Sequence, residues 1–302
     1  MTLTQQIQAI NNLVEKQYLS GNYGELAALS KLFKNKFLED LETILNINSR
    51  NEPYYKERFE VSCGWIDKIP LAKFTSTIND INGNRITGKM ELGDLLLIYT
   101  HNNKFSTDKG IQNNAIQNRA AIVQAKIADK AFPLVPIGQI YSSKVNSTSK
   151  ELALLSKWPE FDLYQTSKST NPLLTNVNLD RTKPNAKFAG FYQKKWYVGE
   201  PSHTAVCNDS LGDLIMGMIS GRDGQDFDTS KTGDWNSLIK KMVEICGKYQ
   251  LPNFIFGSSS GSRLKNITRT PLILFFFFGW DIFTPRRFPI LVINKISEEG
   301  KL

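Results

Sequence analysis

Two short segments limit most tightly what this chain can become: Glu91-Leu92-Gly93-Asp94 running into Leu95-Leu96-Leu97-Ile98, and Ile122-Val123-Gln124-Ala125-Lys126-Ile127. A short apolar run bounded by turn-forming residues suits a strand buried in a sheet. Each segment also carries polar residues where a buried strand has none, and such breaks in pattern mark functional sites. Strand side chains alternate faces with period two, so Gln124 and Lys126 share one face while Val123, Ala125 and Ile127 share the other. Moving either polar residue by one place would separate them. Asp94 opens a run of four aliphatics, and a carboxylate at the edge of an apolar sheet needs a cation beside it. Lys126 or a divalent metal meets that need.

An acid, an amide and a lysine gathered on a sheet edge can hold Mg²⁺ beside a phosphate. Mg²⁺ takes oxygen ligands in octahedral geometry and keeps several waters. One carboxylate, one amide oxygen, a backbone carbonyl and the phosphate satisfy it, and the bound metal acidifies a water for attack. The same residues have a plainer explanation, since Gly-Asp is a common turn pair and Gln-x-Lys a common solvated edge. Order, spacing and strand context together favour the site.

This arrangement resembles the PD-(D/E)xK nuclease superfamily, in the variant with glutamine at the second acidic position, as in Mrr-like restriction proteins. The resemblance covers the middle third of the chain. It implies Asp94 as the first-strand aspartate and metal ligand, Gln124 as the second metal ligand, and Lys126 beside the attacking water. It also implies Mg²⁺ or Mn²⁺ as cofactor, DNA as substrate, and a role in bacterial restriction or anti-phage defence. Family members cut two strands as dimers, so a homodimer or a subunit of a defence complex is expected. A helix before the first strand often lends the family a glutamate. Glu39 and Glu42 are available, with Glu42 nearer the apolar stripe, although a solvated helix face accounts for both. Neutral Gln124 weakens metal affinity relative to an acid and leaves a second possibility, an inactive nuclease-fold subunit that binds nucleic acid.

The fold class expected is α/β: a restriction-endonuclease-like mixed central sheet flanked by helices. Residues 1–50 form a helical arm, 51–200 the core, and 201–302 a C-terminal α/β extension. Helices are expected over 2–18 and 23–47, the second carrying the stripe Leu26, Leu29, Phe33, Phe37, Leu41 and Ile44. Strands follow at 59–65, 71–78, 92–100 and 121–128, with 102–118, rich in Asn, Gln and Lys, as a surface loop whose Lys104, Lys109 and Arg119 could track phosphates. Residues 149–158 read as a helix stopped by Pro159, with Trp158 in the core, before a strand at 161–166. The stretch 183–197 interleaves lysines with aromatics, which suits single-strand binding or an amphipathic hairpin with its rings inside. Helices at 209–220 and 234–249, each opened by an aspartate cap, and strands at 253–257, 272–280 and 288–293 complete the chain.

Charge agrees with a polyanionic partner: 37 Lys+Arg against 29 Asp+Glu leave a net charge of +8. Cys63, Cys207 and Cys246 are odd in number and unpaired by spacing, which suits a reducing cytoplasm. Met1 to Gln6 lack a basic start before an apolar core, so a cytoplasmic protein is expected. The greasy run Leu272 to Trp280 is shorter than the roughly twenty residues a spanning helix needs, and reads as a buried strand. Gly257-Ser258-Ser259-Ser260-Gly261 matches a nucleophile elbow, but both histidines, His101 and His203, precede it, against the order a hydrolase triad requires. Asp223, Asp226 and Asp228 lack the register and closing glutamate of a calcium loop.

Overall fold

The computed structural model describes residues 1–18, 23–66, 70–107, 110–128, 144–202, 207–245 and 288–299. Its helices are α1 (Leu3–Lys16), α2 (Glu25–Ser30), α3 (Asn35–Asn46), α4 (Ser147–Lys157), α5 (Leu211–Ser220) and α6 (Asp234–Ile245). Its strands are β1 (Asn51–Glu52), β2 (Tyr55–Ile66), β3 (Leu71–Phe74), β4 (Met90–Glu91), β5 (Leu95–Thr107), β6 (Gly110–Ile127), β7 (Phe161–Tyr164), β8 (Leu174–Val177), β9 (Ala186–Tyr192), β10 (Lys195–Gly199), β11 (Asp209–Ser210), β12 (Gln225–Asp226) and β13 (Phe288–Glu299). The chain is mixed α/β, and none of the described helices is long and apolar enough to cross a membrane.

The larger sheet runs β1-β2-β13-β5-β6-β9-β10-β11, with β12 also on β6. β5 and β6 form an antiparallel hairpin, whereas β13 lies parallel to β5 and β9 parallel to β6. Parallel neighbours need a crossover; between β6 and β9 the chain supplies α4 and the strands β7 and β8 of a smaller sheet, ordered β4-β3-β7-β8. Period two then sorts the core. Leu95, Leu97, Tyr99, Val123, Ala125, Leu291 and Ile293 pack against α1, α2, α3 and α5, while Leu96, Ile98, Ile122, Val292 and Phe188 pack against α4, α6 and the smaller sheet.

Several expectations change. The helix expected over 23–47 is broken: α2 passes through a short 3-10 turn (Lys31–Phe33) and Lys34 is extended. Leu32, Phe33, Leu38 and Leu45 are all buried. At about 100° per residue a continuous helix would spread them over two-thirds of its circumference, so the break turns both apolar faces to the sheet. The polar stretch 102–118 is not a loop but the outer arms of the hairpin, paired through Thr107 and Gly110. Two polar side chains near its start are served inside the sheet, Thr100 Oγ1 and Asn102 Nδ2 donating to Asn294 Oδ1 at 2.9 and 2.8 Å. Lys104 and Arg119 lie 3.8 and 3.1 Å from Glu298 and Asp226; Lys109 lies outside the described residues. The expected boundaries near 50 and 200 do not separate cores, because α1 and α3 wall the same core as the sheet and β13 is an interior strand. The expectations for 253–257, 257–261 and 272–280, and for Cys246 and His203, fall outside the described residues.

The hairpin β9–β10 buries Phe188, Phe191 and Trp196, so its rings serve the core. Lys187, 7% exposed, pairs with Glu200 and with Asp223 Oδ1 at 2.7 Å. Helix α5, capped by Ser210 rather than Asp209, passes so close that a β-carbon on Gly217 would stand 1.8 Å from Asp223 Oδ2. Gly217→Ala, which ordinarily favours a helix, should instead displace Asp223 and lower unfolding free energy by about 3 kcal/mol. A urea titration checks this; an unchanged midpoint would refute it.

Candidate active site

The antiparallel pair Leu95–Val123 sets Asp94 opposite Gln124, and Asp94 N donates to Val123 O at 2.9 Å, extending the ladder by one rung. Gly93 permits this approach: a β-carbon there would meet Ile122 Cγ2 at 2.5 Å. Asp94 Oδ2 accepts from Ala125 N at 2.8 Å and from Gln124 Nε2. Both side chains are buried, Asp94 at 3% and Gln124 at 0% exposure. Lys126, two residues along the same face, brings its Nζ to 2.9 Å from Glu151 Oε2 on α4 and 3.5 Å from Glu25 Oε1 on α2. Lys126 Nζ donates to Glu25 Oε1, and its shorter ion pair with Glu151 adds hydrogen bonding to charge in holding the Glu151 carboxylate.

Burial pushes Asp94 well above the usual carboxylate range; Lys126 opposes this, and Glu25, Glu151 and Glu91 add to it. Burial likewise raises Glu151 and Glu25 against the pull of Lys126. Lys126 is drawn down by burial, but Glu151, Asp94 and Glu25 together outweigh that and lift it above an ordinary lysine. Three desolvated carboxylates thus share one ammonium. Such a set holds protons or takes up further positive charge.

Gln124 Oε1 is buried without a hydrogen-bond partner, which is costly for an amide oxygen unless something else binds it. Together with Asp94 it offers oxygen donors of the kind Mg²⁺ uses, with waters completing the shell. No group of three His, Cys, Asp or Glu side chains able to hold a metal occurs among the described residues, so the fit rests on this acid–amide pair.

Glu42 does not join the cluster. Its Oε2 accepts from Val61 N at 3.0 Å on β2, and Val61 aligns through Ile293 with Tyr99, five residues along β5 from Asp94. That is about 16 Å along the strands and about 10 Å across them. The bond satisfies a strand N–H, which a helical glutamate on this face does more readily than reach the sheet's far end. Glu39 is exposed. The aspartates of 223–228 also stay apart: Asp223 pairs with Lys187, Asp226 with Arg119, and Asp228 accepts from Ser230 N.

No family model, curated protein or solved structure matches the chain. The chemistry is therefore argued from the residues themselves. Sequence reasoning missed Glu25 and Glu151. Glu151 left a trace, an acid heading the apolar run Leu152-Ala153-Leu154-Leu155; Glu25, at the start of a helix, left none.

Proposed function

We propose that this protein is a metal-dependent nuclease of the PD-(D/E)xK type, QxK variant, built on a restriction-endonuclease-like core and hydrolysing DNA phosphodiester bonds in bacterial defence. The observation carrying this reading is the rung that sets Asp94 opposite Gln124 with Lys126 on the same face. Asp94 and the free oxygen of Gln124 would hold Mg²⁺ or Mn²⁺. When bound, that ion supplies Lewis-acid polarisation of the phosphate and a water acidified for attack. Lys126 remains an ammonium at neutral pH, so it orients the nucleophile and stabilises charge on the phosphoryl oxygens rather than removing a proton. The Ala125 N–H keeps the Asp94 carboxylate turned to this face. The net positive charge favours a polyanion, and two-strand cutting calls for two sites, hence a homodimer or a defence assembly.

Incubation of supercoiled plasmid with the purified protein tests this. Nicking is expected with Mg²⁺ or Mn²⁺, and none with EDTA, with Asp94→Ala or with Lys126→Ala. A second reading, a binding subunit without catalysis, is favoured by the burial of Asp94 and Gln124 and by the carboxylates already on Lys126. Metal-independent DNA binding with no cutting of double-stranded, single-stranded or RNA substrates would select it.

A further inference from the structure

Helix α4 carries one acid into an apolar interior. Glu151 through Leu155 are all buried, and of these only Glu151 needs a charged partner, because an unpaired carboxylate is strongly disfavoured there. Its position is fixed from both ends. A capping box between Asn146 and Ser149 sets the start of α4, and Leu152, Ala153, Leu154 and Leu155 anchor it in the core. Glu151 Oε2 then stands 2.9 Å from Lys126 Nζ with its side chain 2% exposed. Glu25 reaches the same ammonium at 3.5 Å with 29% exposure, from a six-residue helix without a side-chain cap. Of the two acids, Glu151 is the rigid one.

A lysine ammonium at the end of four rotatable bonds has no fixed place unless something holds it. In phosphoryl transfer the protein contributes mainly position and charge, and a displacement of about 1 Å costs about a hundredfold in rate. Gln124 does not do the holding: its Oε1, the one side-chain atom able to accept from an ammonium, has no hydrogen-bond partner, and its Nε2 donates to Asp94.

We propose that Glu151 is the positioning residue of this site: it anchors the Lys126 ammonium on the face shared with Gln124, within electrostatic reach of Asp94, before any phosphate arrives. Its catalytic consequence rests on the nuclease reading; the contact itself does not. The role separates from that of the metal ligands, because Glu151 acts on the rate through Lys126 and leaves cation affinity to Asp94 and Gln124.

The full chain labelled with ¹⁵N-lysine gives the first measurement. A slowly exchanging ammonium signal, assigned by its loss in Lys126→Arg, is expected in the wild type, absent in Glu151→Gln and retained in Glu25→Gln. In single-turnover cleavage Glu151→Gln should lower kcat about a hundredfold, with KM and Mn²⁺ affinity changed less than about twofold. Glu151→Asp, which keeps the charge but draws it back by one methylene, should show the same split and serves if the glutamine variant misfolds. An ammonium signal that survives Glu151→Gln and vanishes in Glu25→Gln overturns the role. So does a rate loss that only follows weakened Mn²⁺ binding. A wild type that cuts nothing but shows the expected spectra overturns the nuclease reading and keeps the Glu151 anchor.

Discussion

Asp94→Asn is expected to reduce metal-dependent cleavage about a thousandfold, near 4 kcal/mol of lost transition-state stabilisation, while making the metal-free fold more stable at neutral pH. The two effects share one cause. A buried carboxylate with a raised pKa binds its proton more tightly folded than unfolded. Its contribution to stability is therefore fully present below the unfolded value of about 3.9 and is lost as pH rises through the raised folded value. Glu25 and Glu151, raised in the same direction, steepen the loss. Asparagine can still accept from Ala125 N and Gln124 Nε2 but carries no charge, so its contribution does not change with pH. Urea midpoints between pH 4.5 and 8 without metal should fall for the wild type and fall less for Asp94→Asn. Mg²⁺ should raise the wild-type midpoint by mass action and leave the variant unchanged. A wild-type stability that rises across this window, or a Mg²⁺ response that persists in Asp94→Asn, would refute the account.

Lys126→Met should lower stability by about 3 kcal/mol, because it strands Glu151 in the core. The contact joins groups 12% and 2% exposed, where solvent screens little. Lys126 has a pKa raised above that of an ordinary lysine, so its contribution is complete at neutral pH and is lost only in strong alkali. Replacing both partners removes the stranded charge along with its counter-ion, and Lys126→Met with Glu151→Leu should recover most of the loss. Denaturant titration of both singles and the double at pH 7 gives the coupling. A double variant no more stable than Lys126→Met alone would mean that Glu151 is not held by this pair.

The first prediction draws on residues legible in the sequence, Asp94 and Gln124, whereas the second also needs Glu151, which only the fold brings to Lys126. Alternation put Gln124 and Lys126 on one face, and an acid before an aliphatic run put Asp94 at the head of a strand; the structure keeps both relations. Glu42 was misplaced because helical phase tells which side of α3 a residue faces, not which strand α3 covers. The break at Lys34 was hidden because the stripe from Leu29 to Leu41 continues through it, and only burial of Leu32, Leu38 and Leu45 reveals two faces. The hairpin arms were hidden because composition reports solvent preference, whereas Asn102 and Asn294 satisfy each other inside the sheet.

By itself, the sequence determined the local periodicities and which residues of β5 and β6 share a face, since each depends on neighbours a few positions apart. The tertiary structure decided that β13 enters between β2 and β5 and that α4 and α2 bring Glu151 and Glu25 to Lys126. Those contacts join residues from 25 to more than 200 positions apart. Their partners are chosen by burying apolar faces and compensating desolvated charge over the whole molecule, and neither leaves a mark on the spacing of residues along the chain.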